Sequence, residues 1–393
     1  MSRTRWVLVG TFLALIAVVL APRSKAQGPF VPASPDEVVE KVPAGGEARK
    51  ARAAARAALA TKPDDVESAV KLARGYLESA RAEGNDVRLI GRAQAALAPW
   101  WSVLDAPPEV RLLRATIKQS LHDFSGARVD LDALVAANPD DVQAWLTRAT
   151  VAQVVGDYLE AEKSCAALTG RVPALIEVVC RAPLKGLRGD AAAAAASVDA
   201  ALAASGQTKL ESWALSVAGE LRWWAGELPA AEEKFSGALK LDPQDDYTRG
   251  AFADLLLDAN RAADVVTLLT GHESNDGLLL RLCLAQRAGK LEEPACVMLR
   301  ERVAATRQRG DTVHRREESR FALHVEEDAT KALELAEANF KVQREPADVR
   351  VLLEAALAAA RPEAAAPALE WMKSTRFEWL PVRELARKLE VPR

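Results

Sequence analysis

The sequence predicts an all-α array of repeated helix pairs, and three observations predict it. Small residues stand at Ala115, Ala149, Ala182, Gly219, Ala251, Ala285, Ala322 and Ala356, with spacings of 34, 33, 37, 32, 34, 37 and 34. A second set, Ala127, Ala161, Ala194, Ala231, Ala263 and Ala368, trails the first by twelve residues. The chain is 49% apolar but only 5% aromatic; alanine, the strongest helix former, supplies much of the difference, and no segment alternates like a strand. A two-helix unit near 34 residues cannot bury its own apolar face, so it must stack on copies of itself.

Residues 1–26 are set apart from the array. Arg3 and Arg5 precede an uncharged, mostly apolar run from Trp6 to Ala21, and Ser24 and Ala26 place small residues where a signal peptidase cuts. The run of 16 residues is short against the ~20 of a membrane span. A cleaved signal peptide is therefore expected, with an uncleaved inner-membrane anchor over residues 6–21 as the alternative. Either way the protein is expected to be exported, periplasmic or secreted, and to meet a membrane only through this segment. Residues 27–46 hold Pro29, Pro32, Pro35, Pro43, Gly45 and Gly46 and read as a tether.

The whole chain carries a net charge of −3, and loss of residues 1–26 removes four cations and no acid, leaving −7. That balance argues against nucleic acid as a partner, which calls for a concentrated basic face. The four cysteines suit an exported protein. Cys165 and Cys180 lie symmetrically about the break at Gly170–Pro173, and Cys283 and Cys296 about Gly289–Lys290. In an antiparallel helix pair such residues face one another, so each pair is placed for a disulfide closing a loop of about 15 residues, worth about 3 kcal/mol in the chain-entropy account. Four buried thiols are the alternative. Neither pair has the Cys-x-x-Cys spacing of a zinc site.

The clearest unit runs from Ser212 to Pro243. Gly219 and Ala231 are small so that two helix backbones can approach where they cross, Phe235 fills the gap beyond, Gly226 opens the turn and Pro243 stops the second helix. Trp145, Ala149, Gly156, Ala161 and Pro173 repeat the pattern, as do Ala115, Ala127, Leu134 and Pro139 one unit earlier. At these positions the chain resembles the tetratricopeptide repeat, strongly over 108–275 and more weakly over 47–107 and 276–393. The stretches His314–Phe321 and Gln343–Arg350 further resemble exported bacterial tetratricopeptide proteins of unassigned role. The resemblance implies a tetratricopeptide-repeat-like α-solenoid over 47–380, a right-handed superhelix of eight or nine antiparallel helix pairs, with 381–393 as a polar capping helix. Two units depart from it. Pro183 and Gly186 interrupt the first helix of unit 175–211, and a charged turn around Arg307–Arg320 lengthens the units after Cys296.

Catalytic motifs are not in evidence: the chain has no Gly-rich phosphate loop and no Gly-x-Ser-x-Gly elbow. The paired acids Asp64–Asp65, Asp140–Asp141 and Asp245–Asp246 follow prolines at helix starts and read as caps. No enzyme activity and no cofactor is expected. His314, Glu318 and His324 return near one helix face and are the weak metal candidates, although Arg315, Arg316 and Arg320 beside them would repel a cation.

A repeat stack offers a groove instead. The resemblance assigns its concave lining to the second, fifth, ninth, twelfth and thirteenth residues of each unit. In unit 212–243 these are Trp213, Ser216, Glu220, Trp223 and Trp224; the next unit contributes Asp245, Thr248, Phe252, Leu255 and Leu256, and unit 142–173 contributes Gln153. Trp213, Trp223, Trp224, Phe252 and Leu256 would anchor a partner protein or peptide, with Gln153, Glu220 and Asp245 fixing its orientation. Adjacent helical residues diverge by about 100°, so one of Trp223 and Trp224 could instead be core. The expected function is that of a non-enzymatic interaction or scaffold protein of the bacterial cell envelope. The alternatives are metal or small-molecule handling through His314–Glu327, and a purely structural spacer.

Overall fold

The computed structural model describes residues 47–82, 87–206, 210–310 and 313–390; the leader and tether expected over 1–46 lie outside them. The array occupies one compact unit, Ala48–Arg393. No strand occurs among the described residues, and none of their helices is long and apolar enough to cross a membrane.

Helix α1 (Glu47–Thr61) precedes nine consecutive pairs: α2 (Val66–Ala82) with α3 (Val87–Ala96), α4 (Pro108–Ser120) with α5 (Phe124–Ala137), α6 (Val142–Val154) with α7 (Tyr158–Ala166), α8 (Ala174–Lys185) with α9 (Ala191–Ser205), and α10 (Glu211–Trp224) with α11 (Leu228–Leu241). The last four are α12 (Asp246–Asp258) with α13 (Ala262–Leu269), α14 (Asp276–Ala288) with α15 (Pro294–Arg309), α16 (Arg315–His324) with α17 (Ala329–Phe340), and α18 (Pro346–Ala358) with α19 (Ala366–Thr375). Helix α20 (Leu380–Glu390) is the last helix among the described residues, and it is amphipathic: Val382 and Ala386 are buried against α18.

The pairs begin and turn at repeated signals. Asp123, Asp141, Asp157, Asp245 and Asp328 each accept a bond from the backbone N–H three residues on, and Asn275 does the same for α14. In the eight pairs from α4 to α19 the turn between the two helices contains one left-handed residue, at His122, Gly156, Gly189, Gly226, Asn260, Lys290, Glu327 and Ala360. Glycine holds only three of these eight places, so helix packing on both sides, rather than backbone freedom, dictates the turn.

In the first four of these units that turn marks the register. Ala115, Ala149, Ala182 and Gly219 each precede a left-handed residue by seven positions, and seven before Asn260 lies Ala253, not Ala251. Ala253 is fully buried while Ala251 is only partly so, and Ala263 is exposed where Val265, twelve residues after Ala253, is buried. The small-residue rung of this unit is therefore displaced by two from the expected one. Elsewhere the rungs sit in the core as expected. A β-carbon on Gly219 would stand 2.7 Å from the ring of Phe235, itself fully buried.

The unit at Pro183 is irregular, as expected. Helix α8 holds Pro183 inside it and runs through a widened turn, Gly186–Asp190, directly into α9. Gly186 lets α10 approach: a β-carbon there would overlap Leu221 and touch the ring of Trp224. The later units differ in helix length, with α15 extended to 16 residues and α16 cut to 10.

Contacts between distant repeats close the array on itself. Arg344 donates its backbone N–H to the Val154 carbonyl at 2.8 Å, and its own carbonyl accepts the Tyr158 hydroxyl at 3.1 Å. The indole N–H of Trp371 donates to Tyr158 Oη at 2.7 Å. Thus α6 and α7 meet the segment from α17 to α19, roughly 190 to 210 residues further on.

Candidate partner-binding surface

Trp213, Ser216 and Glu220 recur on one face of α10 at intervals of three and four. With the register set by Ala253, the matching residues of α12 are Tyr247, Gly250, Asp254, Leu257 and Asp258, each 34 places after its α10 counterpart. Trp213 is 37% exposed and Tyr247 66%, and the Tyr247 hydroxyl donates to Glu220 Oε1 at 2.6 Å. Burial pushes the Glu220 carboxyl up to about 7, and the nearby Glu345 and Asp245 charges reinforce the shift against the Tyr247 bond and Arg316. Two exposed aromatic rings are what this face offers to solvent.

Three residues expected in the groove lie elsewhere, and the two-residue register shift is the reason. Asp245 caps α12, accepting from Thr248 N–H. Phe252 stacks on Phe235 with ring centroids 5.9 Å apart, and Leu256 is buried in the same core. Gln153 is half-buried on α6, one turn from the Gly156 bend.

Trp223 and Trp224, expected to line the groove, are not open to solvent. The chain's own Phe377-Glu378-Trp379 segment, between α19 and α20, lies over them. Trp223 meets Trp379 edge-on at 4.8 Å between centroids, Trp224 meets Phe377 at 5.4 Å, and Phe377 also packs on Trp371. The Arg350 guanidinium sits 5.4 Å from the Trp379 ring centre. Both predicted anchors are thus buried by an intramolecular partner. Sequence reasoning missed Phe377 and Trp379; the aromatic-x-aromatic spacing after the last repeat is the one signal that could have marked them.

Beyond α12 the concave side is bridged by ions. Asp254 accepts from Arg281 of α14 at 2.5 Å and from Arg320 of α16 at 2.9 Å. Asp258 pairs with Arg350 of α18 at 2.8 Å, and Arg350 also holds Glu354 at 2.7 Å. Burial alone would raise the Asp254 carboxyl, but Arg281 and Arg320 outweigh it and hold the group well below the usual carboxylate range. Glu354 is brought down to about 2 in the same way, burial being overcome by His324 and Arg350. Glu317 is likewise lowered to about 2, its burial overcome by Arg316, His314 and Arg281. First helices one, two and three repeats apart are tied together here.

Both cysteine pairs are bridged. Cys165 on α7 bonds Cys180 on α8 with a Cα–Cα distance of 5.7 Å, and Cys283 on α14 bonds Cys296 on α15 at 4.7 Å. The first links successive units and the second closes one pair. The weak metal candidates are dispersed among ion pairs: Glu318 is taken by Arg307 at 2.6 Å, His324 faces Glu354 at 3.6 Å, and His314 stands at the start of α16. Among the described residues no group of three histidine, cysteine or acidic side chains converges to hold a metal.

No known family and no curated protein matches the chain. Solved structures do. The Cut9–Hcn1 hetero-tetramer of the APC/C is similar at 12% identity and TM-score 0.39, over 88% of this chain and 53% of that one. The chain thus spans about half the length of that structure. A tetratricopeptide repeat protein from Parabacteroides merdae is similar at 12% identity and TM-score 0.33, over 81% of this chain and 99% of that one. Yeast Tom70 is similar at 13% identity and TM-score 0.40, over 88% and 86%. The assignment of an all-α stack of antiparallel helix pairs rests on the twenty helices themselves.

Proposed function

We propose that this chain is a non-enzymatic interaction protein of the bacterial cell envelope that binds a partner protein or peptide in the open part of its concave face. The observation that carries the reading is the pair Trp213 and Tyr247, at matching places of successive first helices and both exposed to solvent. Large aromatic rings left in water on a concave surface are the usual anchors of a protein interface. Glu220, bonded to Tyr247 between them, and Gln153 further along the groove supply polar contacts that fix orientation. The packing of the chain's own Phe377 and Trp379 against Trp223 and Trp224 supports the same view, since aromatic side chains of another segment already dock on α10.

The test is chemical crosslinking in cells, with partner identification, repeated in a Trp213→Ala/Tyr247→Ala variant. Loss of the crosslinked species with helicity unchanged supports the reading. Undiminished capture by the double variant removes it. N-terminal sequencing of the mature protein checks export, where a start near residue 27 is expected.

A further inference from the structure

The closure of the array leaves a cavity of about 720 Å³ at the seam between α7–α8 and α17–α19. That size falls in the range of about 300–1,000 Å³ occupied by small-molecule sites. Its wall is built from two distant stretches of chain, Tyr158, Leu184 and Leu187 on one side and Phe340, Leu352 and Trp371 on the other. The polar ends of Tyr158 and Trp371 satisfy each other, so both present apolar ring surface to the space.

The charges around the cavity are distinctive in this protein. Arg316, Arg320 and Arg350 are each held by at least one carboxylate. Arg188, Lys341 and Arg344 line the cavity, are exposed, and make no ion pair or side-chain hydrogen bond among the described residues. Glu337 and Glu370 line it as well and are equally without an ion pair, so cations outnumber acids three to two. Arg344 is set in place beforehand. Its backbone is bonded on both sides to the α6–α7 turn, and its stem lies against Gly156, whose absent β-carbon would stand 3.2 Å from Arg344 Cδ. Apolar walls beneath a cationic rim match a molecule with one anionic end and a hydrocarbon body.

We infer that the seam cavity binds an amphipathic anion, with its carboxylate or phosphate at Arg188, Lys341 and Arg344 and its apolar body between Tyr158, Phe340 and Trp371. Such a ligand would touch both stretches of the seam and strengthen the closure. The site is separate from the concave face around Trp213, so its fate does not depend on the partner reading.

Calorimetric titration of the full chain with dodecyl phosphate and with dodecanoate, each below its micelle concentration, tests the inference. Dodecanol and dodecyltrimethylammonium serve as uncharged and cationic controls. Saturable binding of both anions is expected, weakened about tenfold or more in the Arg188→Glu/Lys341→Glu/Arg344→Glu variant. A second variant, Ser374→Trp, fills the mouth from an exposed position and is expected to block binding with the rim charges intact. Flotation with phosphatidylglycerol vesicles separates the sources: rim-dependent flotation identifies a membrane lipid, and titration without flotation identifies a soluble amphiphile. No heat with either anion, equal binding of the cationic control, or binding indifferent to both variants overturns the inference.

Discussion

Gly219 shows how much a single residue was readable in advance. Its place in the small-residue ladder called for a helix crossing, and the ring of Phe235 occupies the space a β-carbon would need. Gly219→Ala should therefore destabilise the fold by about 1–3 kcal/mol through overpacking, despite alanine's better helix propensity. Urea unfolding measures it, and a stabilised variant would show that the crossing is looser than described. Ala251 shows the opposite. Ala253 stands two residues on in the same helix, and its burial, with the left-handed turn at Asn260, selects it in place of Ala251. Tyr247, Asp254 and Asp258 were hidden by that ambiguity, because a shift of two residues turns a helix by about 200° and exchanges core for groove.

Glu220 gives a prediction with a pH signature. An ordinary glutamate titrates at 4.5 and this one at about 7, so the folded state holds a proton that the unfolded chain has lost. Its destabilising effect is absent below about pH 4.5, grows from there, and is complete above about 7. Glu220→Gln keeps the acceptor for Tyr247 but cannot ionise, so it should raise stability at pH 8 and leave it unchanged at pH 4. Chemical unfolding at the two pH values decides; an equal effect at both would contradict the burial account.

At the scale of elements, the helices and both disulfides were legible, because symmetry about a short turn is a local property. The Cys283→Ala/Cys296→Ala variant should lose about 3 kcal/mol of stability, the value of closing a loop of this size, and reductant should destabilise the parent but not a variant lacking both bridges. The segment after α19 was not legible. Its partners lie about 150 residues away on α10, and nothing in a local pattern announces a contact of that range. Phe377→Ala/Trp379→Ala should cost several kcal/mol, since burial of a large aromatic side chain is worth about 3–5. The same change should expose Trp223 and Trp224 to quencher, which fluorescence reads directly.

At the largest scale the described residues form a repeat array held closed by contacts between non-neighbouring repeats. In an open stack each unit touches only its neighbours and stability is a sum of nearest-neighbour terms. Here Asp254 binds Arg320 and Asp258 binds Arg350, which couples α12 to α16 and α18. Glu317 and Glu354 titrate at about 2 against 4.5 when unfolded, so their contribution is present above about pH 4.5 and is lost as pH falls toward 2. Acid should accordingly unfold the chain in that window. Asp254→Asn should move the midpoint upward, toward neutral pH, and make the protein unfold more gradually.

The central claim is that the array closes so that its own C-terminal segment covers part of the concave face and leaves Trp213 in the open remainder. Hydroxyl-radical footprinting of the tryptophans, read by mass spectrometry, tests this most directly. Trp213 should be oxidised readily while Trp223, Trp224, Trp371 and Trp379, all under 10% exposed, are protected in the native protein. Oxidation of Trp223 and Trp224 at the rate of Trp213 would contradict the account and restore an open groove.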